Sequence, residues 1–82
     1  MCTMIATKVK IAGSANAGRG WARVSEALVG YDHATQVWAD HALRLDFVRA
    51  DTESLAVEMD LASGRALLAR LTEVIAAAER VG

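Results

Sequence analysis

Apolar and polar residues alternate with a period of two along most of this chain and switch to a period near 3.6 at its C-terminal end. From Thr3 to Ala12, Ile5, Val9 and Ile11 occupy the odd positions and Met4, Lys8 and Lys10 the even ones, which predicts a first strand with one apolar face. Gly13-Ser14-Ala15-Asn16-Ala17-Gly18-Arg19-Gly20 reads as a flexible turn. A second strand follows from Trp21 to Tyr31, but its phase slips: Ala22 and Val24 fall on one parity, Ala27, Val29 and Tyr31 on the other. A bulge near Ser25 to Ala27 reconciles them, because one extra residue returns the apolar side chains to the same face.

Asp32 to Asp40 reads as a loop or a single helical turn. In a third strand, Ala42 to Arg49, Leu43, Leu45 and Phe47 share one face and Arg44 and Asp46 the other. Ala50-Asp51-Thr52-Glu53 suits a hairpin turn into a fourth strand, Leu55 to Met59, with Leu55, Val57 and Met59 inward and Glu58 outward. Asp60 then stands as an N-cap, and Leu67, Leu68, Leu71, Val74, Ile75 and Ala78 recur at helical intervals through Val81. The pattern predicts an α+β fold: a four-stranded antiparallel sheet followed by one C-terminal amphipathic helix packed on one face.

With 82 residues the chain makes a single domain, 1–82. A domain this small buries only about 60% of its unfolded surface, so it needs further stabilisation. One cysteine gives no internal disulfide, and the Cys and His spacing fits no zinc motif. The 54% hydrophobic content exceeds what one small core absorbs. Self-association, as a homodimer or a higher homo-oligomer, is the expected remedy. A net charge of −1 and a pI near 6.0 supply no basic patch for nucleic acid or an anionic membrane. No run approaches the length of a membrane span and no signal-peptide order opens the chain, so a cytoplasmic protein is expected. Arginine outnumbering lysine, together with abundant alanine and valine, points to a GC-rich genome such as an actinobacterium's.

One helix covers one sheet face. The other face then carries Cys2, Met4, Ala6, Leu28, Ala42, Asp46, Val48 and Ala56 among Lys8, Lys10, Arg44 and Glu58, a mixture too apolar for a solvated surface and too charged for a core. A two-fold contact there, or a dimer continuing the sheet at an edge, accounts for it, with or without a ligand cavity shared between subunits.

The chemistry concentrates in two short stretches. His33 and His41 bracket the loop that holds Trp38, with Tyr31, Asp32, Asp40 and Asp46 beside it. Histidines at the two ends of a loop can meet across its mouth, and an aspartate is the group that orients an imidazole for acid–base work. His33, His41, Asp46, Asp32 and Cys2 are therefore the candidate catalytic residues, and Tyr31 and Trp38 the candidate ligand contacts. Each has a plainer reading. His41 shares parity with Leu43 and caps the core edge, Tyr31 continues its strand's apolar face, and Trp38 packs on the core or on a partner. Cys2 reads as an N-terminal nucleophile freed by methionine removal, as a histidine-activated thiol, or as a buried strand residue. The glycine-rich turn lacks the Gly-Lys-Ser/Thr of a phosphate loop and leads into a strand, which excludes that role. No metal site and no cofactor is predicted.

Met1-Cys2-Thr3-Met4-Ile5-Ala6, Ile11-Ala12-Gly13-Ser14-Ala15, Tyr31-Asp32-His33, His41-Ala42-Leu43 with Asp46-Phe47-Val48, and Ser63-Gly64-Arg65-Ala66-Leu67 together resemble a family of short, uncharacterised, mainly actinobacterial proteins. The resemblance spans nearly the whole chain and implies a complete domain, but no activity. The sequence thus leads to two expectations. The first is a homodimer with a pocket for a small organic molecule, possessing His/Asp acid–base chemistry if it is a cofactor-independent enzyme. The second is a non-catalytic protein–protein interaction module.

Overall fold

The computed structural model describes residues 5–18, 20–34, 40–50 and 54–82. Cys2, Trp38, the first residues assigned to strand one and the turn residues Asp51 to Glu53 lie outside the described residues. Strands β1 (Ile5–Asn16), β2 (Trp21–His33), β3 (His41–Arg49) and β4 (Ser54–Met59) precede one helix, α1 (Leu61–Val81). They form one antiparallel sheet in the order β1-β2-β3-β4, as the two periodicities predict.

β1 and β2 run longer than their local composition suggests. Gly13 to Asn16, read as turn, pair with Val24 to Trp21, and the turn shrinks to the residues around Gly18 and Gly20. Both glycines have positive φ, 96° and 98°, and Asn16 Oδ1 accepts a hydrogen bond from the Gly18 N–H at 2.8 Å. Pairing with β2 satisfies those backbone groups of Gly13 to Asn16 that face it, and that outweighs their weak strand propensity. Pairing with β3 extends β2 to His33, and β3 begins at His41. Asp32 and His33 are therefore strand residues, where the sequence suggested a loop.

The bulge lies where the parity slip placed it. Val24 pairs with Arg49 and Glu26 with Val48, leaving Ser25 without a counterpart on β3, while on β1 the register shifts between Lys10 and Gly13. The extra residue puts Val24 on the face that also carries Ala27, Val29 and Tyr31. Three cross-strand rows on that face are apolar throughout or nearly so. They run Val9-Ala27-Phe47-Leu55, Thr7-Val29-Leu45-Val57 and Ile5-Tyr31-Leu43-Met59.

The helix starts on this face. Asp60 caps it in extended conformation, its carboxylate accepting from the Ser63 N–H at 2.7 Å. Those bonds, from the Ser63 hydroxyl and then its backbone N–H, hold the Asp60 carboxyl below its ordinary 3.8. Gly64 brings the first turns against β3: a Cβ built there would stand 2.1 Å from Leu43 Cδ1. The helix ends at Gly82, whose N–H donates to the Ala78 carbonyl with φ 123°.

Burial is sparse. Among the described residues the buried set is Ala15, Val24, Ala27, Ala42 and the charged Arg49, of which Val24 is the largest fully buried side chain. No helix residue is buried, and Leu68, Val74 and Ile75 stay 64%, 65% and 56% exposed. The helix shields only part of the face on which it sits.

Candidate functional site

The β2–β3 hairpin end assembles the candidate side chains. His33 pairs directly with His41 across the ladder, and the Ala34 N–H donates to the Asp40 carbonyl at 3.1 Å just beyond them. The two imidazoles stack with centroids 4.8 Å apart and an interplanar angle of 26°. Tyr31 stacks on the other side of His41 at 5.4 Å and 18°. The outcome is a row, Tyr31–His41–His33, on the helix-bearing face: two rings joined to a third by cross-strand and same-face neighbour relations that follow from strand register.

Tyr31, at one end of the row, also lines an apolar basin. A cavity of about 420 Å³ is lined by Ile5, Thr7, Val29, Gly30, Tyr31, Leu43 and Leu61. A second, of about 220 Å³, shares Val29 and Leu43 with it and adds Leu45, Met59, Gly64, Leu67, Leu68 and Leu71. Together they form one trough between β2, β3 and the first turns of α1. Its polar groups are few, the Thr7 hydroxyl and the Tyr31 ring with its phenol. Gly30 sits where β1 comes close, its missing Cβ only 2.9 Å from the Ile5 carbonyl oxygen. Such a trough can hold a small, mainly apolar molecule and offer it ring faces and a hydroxyl at one end.

The other candidates are elsewhere. Asp46 is on the opposite face, in the row Lys8-Leu28-Asp46-Ala56, and its carboxylate takes a hydrogen bond and ion pair from Arg44 Nε at 3.1 Å. Asp32 lies opposite Ala42 on that same face, and its Oδ1 accepts from the His33 backbone N–H at 2.7 Å. The structure thus gathers Tyr31, His33 and His41 and separates Asp46 from them. Cys2 and Trp38 fall outside the described residues. Among those residues, no three His, Cys, Asp or Glu side chains group as a bound metal ion would need, and no helix is long and apolar enough to cross a membrane.

Sequence reasoning on titratable groups passed over Thr7, Val29, Leu43 and Leu61, which shape the trough. Strand parity carried the signal for Val29 and Leu43, since both follow Tyr31 through the ladder. Leu61 follows at once after the Asp60 cap, so the start of the helix fixed its place.

A four-stranded antiparallel sheet carrying one capped helix, with an apolar trough between them, places this chain among small α+β domains. Residues 1–82, the whole chain, match the model of a family of unknown function (DUF6295), and the protein belongs to that family. No curated protein and no solved structure matches it.

Proposed function

We propose that this protein is a binding module for a small, largely apolar organic molecule, held in the trough between β2, β3 and α1. The observation that carries this reading is Tyr31, the member of the Tyr31–His41–His33 row that enters the wall of a cavity whose other lining is almost wholly hydrocarbon. Tyr31, stacked on His41 at 5.4 Å, offers an aromatic ligand its ring and its hydroxyl. An apolar trough with a few convergent polar groups is the usual composition of a small-molecule site.

In the acid–base version of this function His33 and His41 are the candidate acid and base. Asp46, proposed to orient an imidazole, is bound to Arg44 on the other side of the sheet. A general base needs an orienting partner and a substrate proton within reach. The almost wholly apolar lining of the trough supports binding over turnover.

Titration of the isotope-labelled protein with p-cresol and with toluene, followed by amide and methyl NMR shifts, tests it. Saturable shifts at Thr7, Val29, Tyr31 and Leu43, stronger for p-cresol and weakened by Tyr31→Phe, are expected. No saturation by either compound, or shifts centred on Asp46 and Ala56, would sink the reading. Thermal unfolding of His33→Ala and His41→Ala in parallel separates architecture from binding, because a structural stack loses Tm whether or not a ligand is present.

A further inference from the structure

We infer that the helix-bearing face, not the opposite one, is where a second copy of this chain docks, with the C-terminal half of the partner's helix seated on the Phe47 end of the sheet. The first argument is area. The chain exposes 6504 Å², against about 4,700 Å² for a compact monomer of its mass, an excess of roughly 1,800 Å² per protomer. Two such surfaces meeting would bury about 3,600 Å², inside the range of obligate dimers. The radius of gyration agrees, at 14.4 Å against about 12 Å for a compact domain of this length.

The second argument is where the excess lies. On the sheet the exposed large apolar residues are Ile5, Val9 and Val57 on the helix-bearing face, at 56%, 49% and 40%, and Trp21 and Val48 on the opposite face, at 73% and 38%; on the helix, Leu68, Val74 and Ile75 are 64%, 65% and 56% exposed. Ile5, Val9 and Val57 share the face that α1 touches, so that face and the helix together hold the larger part of the exposed apolar surface. The opposite face carries its own charge balance: Lys10 stands across from Glu26, Arg44 across from Glu58, and Arg44 is paired with Asp46. Docking that face would cost the desolvation of these charges.

The third argument identifies the occupant. A third cavity of about 230 Å³, lined by Ile11, Val24, Phe47 and Leu55 among others, has no helix residue in its wall. The trough at the other end of the same face is closed in part by Leu67, Leu68 and Leu71 of the chain's own helix. So each chain carries an apolar sheet end that lacks a helix and a stretch of apolar helix that lacks a sheet. A two-fold arrangement satisfies both with the same contact made twice. The residues lining this cavity carry no charge, Arg49 beside them being buried within its own chain, and their apolar complement is present on an identical molecule, which favours a second copy over a foreign partner.

Sedimentation equilibrium of the intact protein at micromolar concentration tests this, with twice 8.7 kDa expected. Ile75→Asp should give the single-chain mass with its far-UV spectrum retained, since Ile75 lines none of the three cavities. In case that variant unfolds, cross-linking decides. Two proteins, each with Cys2→Ser, are prepared separately, one with Ile75→Cys and one with Leu55→Cys, then mixed and oxidised. A mixed disulfide dimer is expected, and Ala56→Cys in place of Leu55→Cys should give none. A single-chain mass for the unaltered protein, a dimer that Ile75→Asp leaves intact, or cross-linking through Ala56→Cys would overturn the inference. It does not depend on the ligand reading: a monomer that binds p-cresol refutes only the dimer, and a dimer indifferent to p-cresol refutes only the ligand.

Discussion

Replacing Gly64 with alanine sets two effects of opposite sign against each other. Alanine in a helix interior is favoured over glycine by about 1 kcal/mol. Its methyl, however, would stand 2.1 Å from Leu43 Cδ1 and 3.9 Å from Met59 Sδ, where ordinary carbon contacts lie near 3.5 to 4.0 Å. Leu43 must leave its rotamer or the helix must lift away from β3, and overpacking of this kind costs about 1–3 kcal/mol. Gly64→Ala should therefore be neutral to destabilising by about 2 kcal/mol. In a Leu43→Ala background the clash disappears, and the same substitution should stabilise by about 1 kcal/mol, raising Tm by roughly 4–8 °C for a domain of this size. Thermal and urea unfolding of the four proteins at one fixed concentration gives the coupling directly, and the value expected, about 1–3 kcal/mol, exceeds the ordinary error of additivity. If Gly64→Ala stabilises both backgrounds equally, α1 does not rest on Leu43 and the trough described here is wrong.

Two further outcomes follow from named contacts. Gly30→Ala would place a methyl 2.9 Å from the Ile5 carbonyl oxygen, a backbone atom that cannot rotate away, so β1 should loosen from β2. Faster hydrogen exchange at the β1 amides paired near Gly30, with β3–β4 amides unchanged, is the expected signature, and uniform protection would contradict it. The Asp60 carboxyl is held below its ordinary 3.8 by Ser63, so the folded pKa lies under the unfolded one. The cap's contribution is then complete above the unfolded value and is lost as pH falls through the folded value, below 3.8. Asp60→Asn keeps a capping side chain that does not titrate there. The helical circular dichroism of the two proteins should diverge in that acid range, and superimposable acid profiles would count against the cap.

The sequence made the element order legible because period-two and helical patterns are hard to confuse over these lengths. Even the bulge was readable, since Val24 and Ala27 can share a face only if a residue between them drops out of the ladder. What composition hid was the reach of β1. Gly13, Ser14 and Asn16 are poor strand formers taken singly, and their strand state comes from pairing with Trp21 to Val24, a tertiary effect. The candidate site was half legible. A loop flanked by His33 and His41 implied that they could meet, and they do, at 4.8 Å. Asp46 was grouped with them by nearness in sequence, although its own parity had already assigned it to the other face. The helix was expected to cover its face. Its periodicity told which side is apolar, but not how much of the sheet that side could reach.

That reach is a matter of element lengths. Four strands of 12, 13, 9 and 6 residues average ten. At about 3.3 Å per residue and 4.8 Å between strands they make a face of roughly 630 Å². A helix of 21 residues is about 31 Å long and about 10 Å across, so its footprint is near 310 Å² even when it lies flat. One helix can therefore shield about half of this sheet. The Ser25 bulge sharpens the problem, because without the phase change Val24 would turn to the charged side and the apolar face would end near Ala27. By keeping Val24 on the helix side, the bulge lengthens the apolar face beyond what α1 can cover. The end at Ile11, Phe47 and Leu55, which no residue of α1 lines, is thus built into the topology, and it is there that we propose a second helix of the same kind sits.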